Sequence, residues 1–222
     1  MTITVYIPGD SGAVALGADD VAQAIAGEAE KRGADIAVVR NGSRGLYWLE
    51  PMVEVATENG RIAYGPVSAG DVSALFDADF LSGGAHALSL GDPEEIPFLK
   101  SQTRLTFARC GIVDPLSLED YEAHDGLKGL RKAVSMAASD IVQTVTDSGL
   151  RGRGGAGFPT GIKWKTVLDA AGPQKYIVCN ADEGDSGTFA DRMLMEGDPF
   201  LLLEGMAIAG HAVGAAKGYI YL

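Results

Sequence analysis

The sequence predicts an α/β fold in two successive parts, and three observations carry that prediction. Residues 1–80 alternate short β-forming runs with one long amphipathic stretch; the second half alternates helical and strand patterns; and between two of those helical patterns lies a run rich in glycine and cations. With 222 residues, 46% apolar content and a mean hydropathy of +0.09, the chain suits one large or two small globular domains.

In the first part, Thr2–Ile7 reads as a strand, Ala18–Arg32 as an amphipathic helix and Asp35–Val39 as a second strand. Met52–Val55 and Arg61–Ala63 form a strand pair, with Glu58-Asn59-Gly60 where a hairpin turn is needed, and Ala69–Phe76 closes the segment as a helix. A helix between two strands followed by a meander is compatible with a small thioredoxin-like domain, expected over residues 1–80. A free-standing thioredoxin is excluded, because no Cys-x-x-Cys is present.

Residues 81–125 read as linker and lead-in. The stretch from Asp77 to Pro97 is rich in Gly, Asp and Pro, and its His86 is expected to be a solvated or hydrogen-bonded loop histidine. Residues 105–108 are expected to form a short strand, and Ser117 followed by Asp120 reads as a helix cap. The two cysteines, Cys110 and Cys179, are too few for a disulfide framework or a zinc site, and both are expected to be buried, inert thiols. His124 and His211 fall on predicted helices as structural residues. No catalytic residue and no metal ligand is assigned.

Residues 126–222 form the second domain. Helices are expected near 127–137 and 139–148, then around Thr160–Ala170, followed by a buried strand Lys175–Cys179. A further helix runs from Pro199, well placed at a first turn, to about Gly214, and a strand covers Gly218–Leu222. Strand, helix, strand implies a parallel pair. Since the last strand ends at the last residue, the chain is expected to stop mid-domain, so that the fold is apparently truncated.

The chemistry gathers between residues 148 and 187. Glycines at 152, 154, 155 and 157 leave the backbone free to take positive φ and turn N–H groups toward an anion, while Arg151, Arg153 and Lys163 place charge nearby. Gly152-x-Gly154-x-x-Gly157 satisfies the dinucleotide fingerprint formally, but a helix ending at Gly149 precedes it where that fingerprint needs a strand. The P-loop fails as well, since no Gly-Lys-Ser/Thr stands at the required spacing. What remains is a phosphate cradle. The strand at 175–179 opens onto Asn180-Ala-Asp-Glu-Gly-Asp-Ser-Gly187, which offers Asn180, Asp182, Glu183 and Asp185 as acceptors. A ligand with a phosphate end and a hydroxyl-rich end, a nucleotide or a flavin, has the matching shape.

A net charge of −12 and a pI near 4.6 argue against nucleic acid or an anionic membrane surface as partner. The N-terminus has no basic region or long apolar run, and the most apolar stretch, Pro199 to Ala216, contains Glu204 and His211. No membrane span is expected. A reducing cytoplasm fits.

The run Gly149-Leu-Arg-Gly-Arg-Gly-Gly-Ala-Gly-Phe-Pro-Thr-Gly-Ile-Lys-Trp164, with Asn180-Ala-Asp-Glu183, Glu204-Gly-Met206 and Gly218-Tyr-Ile-Tyr221, resembles the NADH-binding, FMN-carrying flavoprotein subunit of respiratory complex I and its diaphorase relatives in NAD-linked hydrogenases and soluble molybdenum formate dehydrogenases. The resemblance runs from about residue 100 to the end. It implies a Rossmann-like FMN/NADH-binding domain in which Gly152, Arg153, Gly154, Gly155 and Lys163 hold the FMN phosphate and ribityl side. Asn180, Asp182 and Glu183 would meet the ribityl hydroxyls and ring edge. Phe158 would stack on NADH and Asp185 would meet the adenosine ribose, where the family more often has glutamate. The implied cofactors are FMN and NAD, with a 4Fe-4S cluster in a part of the family that this chain does not present.

The order of the first part, with Gly42-Ser-Arg-Gly-Leu-Tyr-Trp-Leu-Glu-Pro51 in its middle, resembles the thioredoxin-like 2Fe-2S ferredoxins that accompany this family. Their cysteine places hold Ser43 and Tyr47 here, and no cysteine lies between Tyr6 and Ala13. Four ligands are needed. The module is therefore expected to dock or space, and to carry no cluster. Its cysteine-free fusion, with the lead-in around Cys110, favours the formate dehydrogenase relative, whose partners would be a molybdenum- and iron–sulfur-containing catalytic subunit and a 2Fe-2S ferredoxin-like subunit. The alternatives are a diaphorase of an NAD-linked hydrogenase, a complex I-type NADH dehydrogenase subunit, an autonomous flavin reductase, and a non-catalytic scaffold.

Overall fold

The computed structural model describes residues 2–185 and 187–222. It separates into two compact units, Met1–Asp120 with Met193–Asp198, and Tyr121–Arg192 with Pro199–Leu222.

The first unit is built from β1 (Ile3–Tyr6), α1 (Ser11–Ala15), α2 (Ala18–Arg32), β2 (Ile36–Val39), β3 (Val53–Thr57), β4 (Gly60–Tyr64), α3 (Val72–Asp77), β5 (Ser89–Gly91) and α4 (Pro97–Lys100). The sheet order is β2-β1-β3-β4-β5. β1 and β2 are parallel, and β1–β3, β3–β4 and β4–β5 are antiparallel. A βαβ unit followed by a hairpin in this order is the thioredoxin-like arrangement expected from the sequence. α2 forms because Val21, Ile25 and Ala29 fall on one face, with Asp19 and Asp20 in the first turn and Lys31 and Arg32 in the last, matching the helix dipole. Gly33 ends it in the left-handed region at φ 66°. Val5, Ile7, Val53, Val55, Tyr64 and Phe80 fill the core beneath it.

The stretch expected as linker and lead-in packs with this unit. It supplies β5, and Tyr64 donates from its hydroxyl to the Gly84 carbonyl at 2.7 Å. Residues 105–108 are not a strand; they form turns, with Leu105 exposed. Their carbonyls have no neighbouring strand among the described residues, and the lead-in is fastened instead by side chains: Asn41 donates to the Gly111 carbonyl at 2.7 Å, and Arg61 donates to the carbonyls of Gly111 and Ile112 at 3.1 and 2.7 Å. Ser117 caps α5 (Leu118–Ala123) by accepting from the Asp120 N–H at 3.1 Å.

In chain order follow α6 (Lys128–Ala133), α7 (Ala138–Asp147), α8 (Thr160–Asp169), β6 (Tyr176–Asn180), α9 (Ala190–Gly197), α10 (Pro199–Val213) and β7 (Lys217–Tyr221). The second unit holds the parallel strand pair β6–β7, joined through helices, in agreement with the strand, helix, strand pattern. Ile141, Val142, Ala212 and Val213 make its core, with Trp164, Leu168 and Ile177 packed against them. β6 is not buried as expected. Its Tyr176 and Val178, with Tyr219 and Tyr221 of β7, lie exposed on one face of the pair, while the Ile177 and Gly218 row meets α10. α9 adds an element to the predicted order; its signal in the sequence is the capping-box spacing Thr188-Phe-Ala-Asp191.

α7 and α8 approach closely at Gly161, where an added Cβ would come within 2.3 Å of Thr146 Oγ1 and 2.6 Å of its Cα. Gly161→Ala should therefore lower the stability of the second unit by about 2–3 kcal/mol, as overpacking at a backbone-limited contact does. A denaturation midpoint unchanged from the parent chain would show that the helices can part without cost. Among the described residues, no helix is long and apolar enough to cross a membrane.

Candidate functional site

The glycine run is a pinned loop between two helices. α7 ends at its cap, Ser148, and Gly149 follows at φ 68°. Gly152 then donates to the Phe158 carbonyl at 2.9 Å, Thr160 donates to the Leu150 carbonyl at 2.9 Å, and Arg151 pairs with Pro159 in an antiparallel bridge. Arg151 also donates through Nε to the Gly157 carbonyl at 2.6 Å. These bonds tie the base of the loop and leave 153–156 as its tip. Gly155 and Gly157 take positive φ, 27° and 55°; Gly152 and Gly154 do not, so their place in the motif rests on the missing Cβ. A side chain on Gly154 or Gly155 would point into open space.

Lys163, on the first turn of α8, reaches back toward the loop. Its Nζ lies 3.8 Å from where a Cβ on Gly152 would stand and 5.9 Å from the Phe158 ring centre. Phe158 is half exposed, with its ring available for stacking. A glycine backbone, an ammonium group and the N-terminal end of a helix together suit an anionic group.

Opposite this loop, β6 runs out at Asn180, whose side-chain oxygen accepts from the Asp182 N–H at 3.2 Å. Glu183 turns toward the start of α9 and accepts from the N–H groups of Asp191 and Arg192 at 3.1 and 3.2 Å. Desolvation acts to raise its pKa, but the backbone donors of Asp191, Arg192 and Ala190 outweigh it and hold the carboxylate below its ordinary range. Glu183 thus orders the loop by capping a helix.

A cavity of about 440 Å³ joins the two loops. Arg153, Gly154 and Gly155 line one side; Asp182, Glu183, Gly184 and Asp185 line the other, with Asp191 at the start of α9. The cavity brings together six of the ten sequence-assigned residues: Arg153, Gly154, Gly155, Asp182, Glu183 and Asp185. Gly152, Phe158, Lys163 and Asn180 lie at the loop bases outside its wall. Asp191 and Thr188 join the wall from α9 and its lead-in, which the sequence reading does not anticipate. The donor set, backbone N–H and cation on one wall and carboxylates on the other, fits a phosphate-bearing, polyhydroxylated cofactor such as FMN.

The thioredoxin-like unit does not fit an iron–sulfur cluster. The Ser43 hydroxyl donates to Glu50 at 2.6 Å, and the Asp10 carboxylate accepts from Gly12 and Ala13 where thiolates would be required. Cys110 is fully buried, and burial pushes its thiol up to about 12, so it is the inert residue expected; Cys179 is only partly buried and its pKa is also raised, first by desolvation.

A helix-flanked glycine loop facing an acidic loop across one cavity, on a parallel strand pair, defines an α/β flavin-nucleotide-binding domain. Residues 145–222 match the model of the Nuo51 FMN-binding domain, which is about a third of the chain. It is 52% identical over 123 residues to an NADP-reducing hydrogenase subunit of Solidesulfovibrio fructosivorans, covering 55% of this chain and 25% of that protein. It is 55% identical over 106 residues to a subunit of the NADH-quinone oxidoreductase of Rhizobium meliloti, covering 47% and 25%. The alpha subunit of an NAD-reducing hydrogenase of Cupriavidus necator is 48% identical over 93 residues, covering 42% and 15%. The chain thus spans about a quarter or less of the length of these relatives. Among solved structures, the NAD+-reducing NiFe hydrogenase in its H2-reduced state aligns with 99% of this chain and 36% of its own, at 26% identity and a TM-score of 0.43. The thioredoxin-like 2Fe-2S ferredoxin of Aquifex aeolicus aligns with 41% of this chain and 98% of its own, at 17% identity and a TM-score of 0.34.

Proposed function

We propose that this chain forms part of an NAD(H)-linked flavoprotein in a multi-subunit oxidoreductase, holding FMN at the glycine loop and exchanging electrons between the flavin and NAD. The observation that carries this reading is the cavity shared by Arg153, Gly154 and Gly155 with Asp182, Glu183 and Asp185. When bound, FMN supplies hydride chemistry with a nicotinamide and one-electron exchange with neighbouring redox centres. The chain's own residues bind and orient it. In this reading Gly152, Arg153, Gly154, Gly155 and Lys163 hold the phosphate and ribityl side, Asn180 and Asp182 accept from the ribityl hydroxyls, and Glu183 keeps the acidic loop in place against α9. Phe158 and Asp185 are the NAD-side residues.

The electron donor is formate in the reading we favour, on the cysteine-free thioredoxin-like unit and the lead-in that Asn41 and Arg61 fasten to it. The partner is then a molybdenum-containing catalytic subunit. A hydrogenase reading is favoured by the match to an NADP-reducing hydrogenase subunit. Cofactor release from the natively purified assembly separates them. FMN with molybdenum, each near one per chain, supports the formate reading; FMN with nickel and no molybdenum moves the function to a hydrogenase. An assembly without flavin leaves only a scaffold.

A further inference from the structure

Three buried polar side chains lie on the connections that follow β1 and β2 of the thioredoxin-like unit and precede β3. Asp10 is 6% exposed, Asn41 2% and Glu50 5%. Asp10 Oδ1 accepts from the N–H groups of Gly12 and Ala13, while its Oδ2 is buried without a donor. The Asn41 amide donates to the Gly111 carbonyl, and its Oδ1 is likewise buried without a donor. Gly9 donates to the Asn41 carbonyl at 2.8 Å, which sets Asp10 beside Asn41. Glu50 accepts from the Ser43 hydroxyl at 2.6 Å on one oxygen and from the Met52 N–H at 2.9 Å on the other.

Buried acceptors without donors and buried carboxylates without cations are both costly. Arg40 pairs with Asp19 and donates to the Ile7 and Pro8 carbonyls, and Arg104 pairs with Glu94 at 3.6 Å while its Nη1 is buried without an acceptor among the described residues. Arg44 and Arg61 both pair with Glu54 on β3, and Arg44 also pairs with Glu94. Glu196 accepts from the Ser11 N–H and hydroxyl, Asp198 pairs with Arg109, and the Cys110 thiol is un-ionised. Neither Asp10 nor Glu50 has an ion-pair partner among the described residues.

We propose that Asp10 and Glu50 form a buried acid pair carrying one proton, with Glu50 donating to a single buried water that in turn donates to Asp10 Oδ2 and Asn41 Oδ1. The count closes: one carboxyl O–H and two water O–H groups meet the water oxygen and the two open acceptors, the three bonds usual for a buried water. A module whose cluster places hold no thiolates thus holds a proton. The electrostatics agree. Burial first, then Asp10 and Glu54, raise the Glu50 carboxyl to about 7, against the pull of its Ser43 and Met52 donors. The folded chain therefore keeps a proton that the unfolded chain releases above about 4.5, so this contribution to stability is full at low pH and is lost as pH rises through about 7.

The test is the denaturation midpoint of the full chain across a pH series from acid to alkaline, for the parent, Glu50→Gln and Asp10→Asn, with infrared detection of un-ionised carboxyl groups. The parent midpoint should fall between about pH 4.5 and about 7 and level off above that. Glu50→Gln, which supplies a permanent donor, should flatten the fall and remove a carboxyl band present in the parent at mildly acid pH. Asp10→Asn should move the fall toward lower pH by about one unit, because the charge that opposes Glu50 ionisation is gone. A parent midpoint level across the series, or a fall unchanged in Glu50→Gln, overturns the proposal. If Glu50→Gln does not fold, the absence of any un-ionised carboxyl band in the parent at mildly acid pH overturns it alone.

Discussion

Lys163→Ala should leave the chain folded and strip its flavin. Its ammonium group stands against the Gly152 end of the loop, 3.8 Å from the position a Cβ would take there. Arg151, the other cation at the base, donates its Nε–H to the Gly157 carbonyl and holds the loop's shape. Removing a charge-assisted bond to a phosphate costs about 1.5–3 kcal/mol, or roughly ten- to more than a hundredfold in affinity. The measurement is FMN released by acid per chain from purified assembly. Because the core of the second unit is built from Ile141, Val142, Ala212 and Val213 and their apolar neighbours, the denaturation midpoint of the flavin-free Lys163→Ala chain should stay where it was. Normal FMN content in Lys163→Ala would refute the phosphate assignment. Lys163→Arg should recover part of the binding, since the charge is kept while the compact ammonium geometry is not.

The loop's shape is legible in the sequence because what sets it is local. Glycine spacing, the helix end at Gly149 and the cations all lie within one short run, and the hydrogen bonds that close it, Gly152 to Phe158 and Thr160 to Leu150, are equally short-range. The thioredoxin-like order is legible for the same reason: Val21, Ile25 and Ala29 mark a helix face, and the Glu58-Asn59 turn fixes the β3–β4 register. What stays hidden depends on partners distant in sequence. The lead-in near Cys110 resembles a strand because Leu105-Thr-Phe is β-forming, yet its fastening comes from Asn41 and Arg61, fifty or more positions away. The apolar content of Lys175–Cys179 suggests burial, whereas a strand's burial is set by what lies over each face. In β6 the Ile177 row is covered while Tyr176 and Val178 face outward. The acid pair is invisible at this level because a lone Asp10 or Glu50 reads as surface until the fold closes over it.

Glu204→Ala should collapse the second unit and take flavin binding with it, a pattern distinct from that of Lys163→Ala. Glu204 sits on α10 with only 8% of its surface exposed, and its sequence neighbourhood, Glu204-Gly-Met206, marks a motif without a role. The structure supplies that role. One carboxylate oxygen accepts from the Tyr121 hydroxyl at 2.5 Å and the Leu127 N–H at 2.8 Å, and the other accepts from the Leu130 N–H at 2.8 Å. Gly129 leaves room for this, since a Cβ there would lie 2.9 Å from Glu204 Oε1. The carboxylate thus holds the turn ahead of α6, with Leu127 itself in the left-handed region at φ 59°, against the helix that also carries the Ala212 and Val213 core. Truncation would leave a buried hydroxyl and two backbone donors open, each worth about 1–3 kcal/mol, for a combined loss of about 3–5 kcal/mol. That is enough to unfold a marginal domain. Glu204→Gln keeps one acceptor oxygen but turns an amide toward a donor, so its loss should be about half as large. Tyr121→Phe removes one donor together with its partner bond and should cost about 1 kcal/mol. A Glu204→Ala chain with a parent-like denaturation midpoint would contradict the network, whatever its FMN content; a chain with a lowered midpoint and lost FMN would establish that α10 supports the loop by packing, since Glu204 stands apart from the residues that line the cavity.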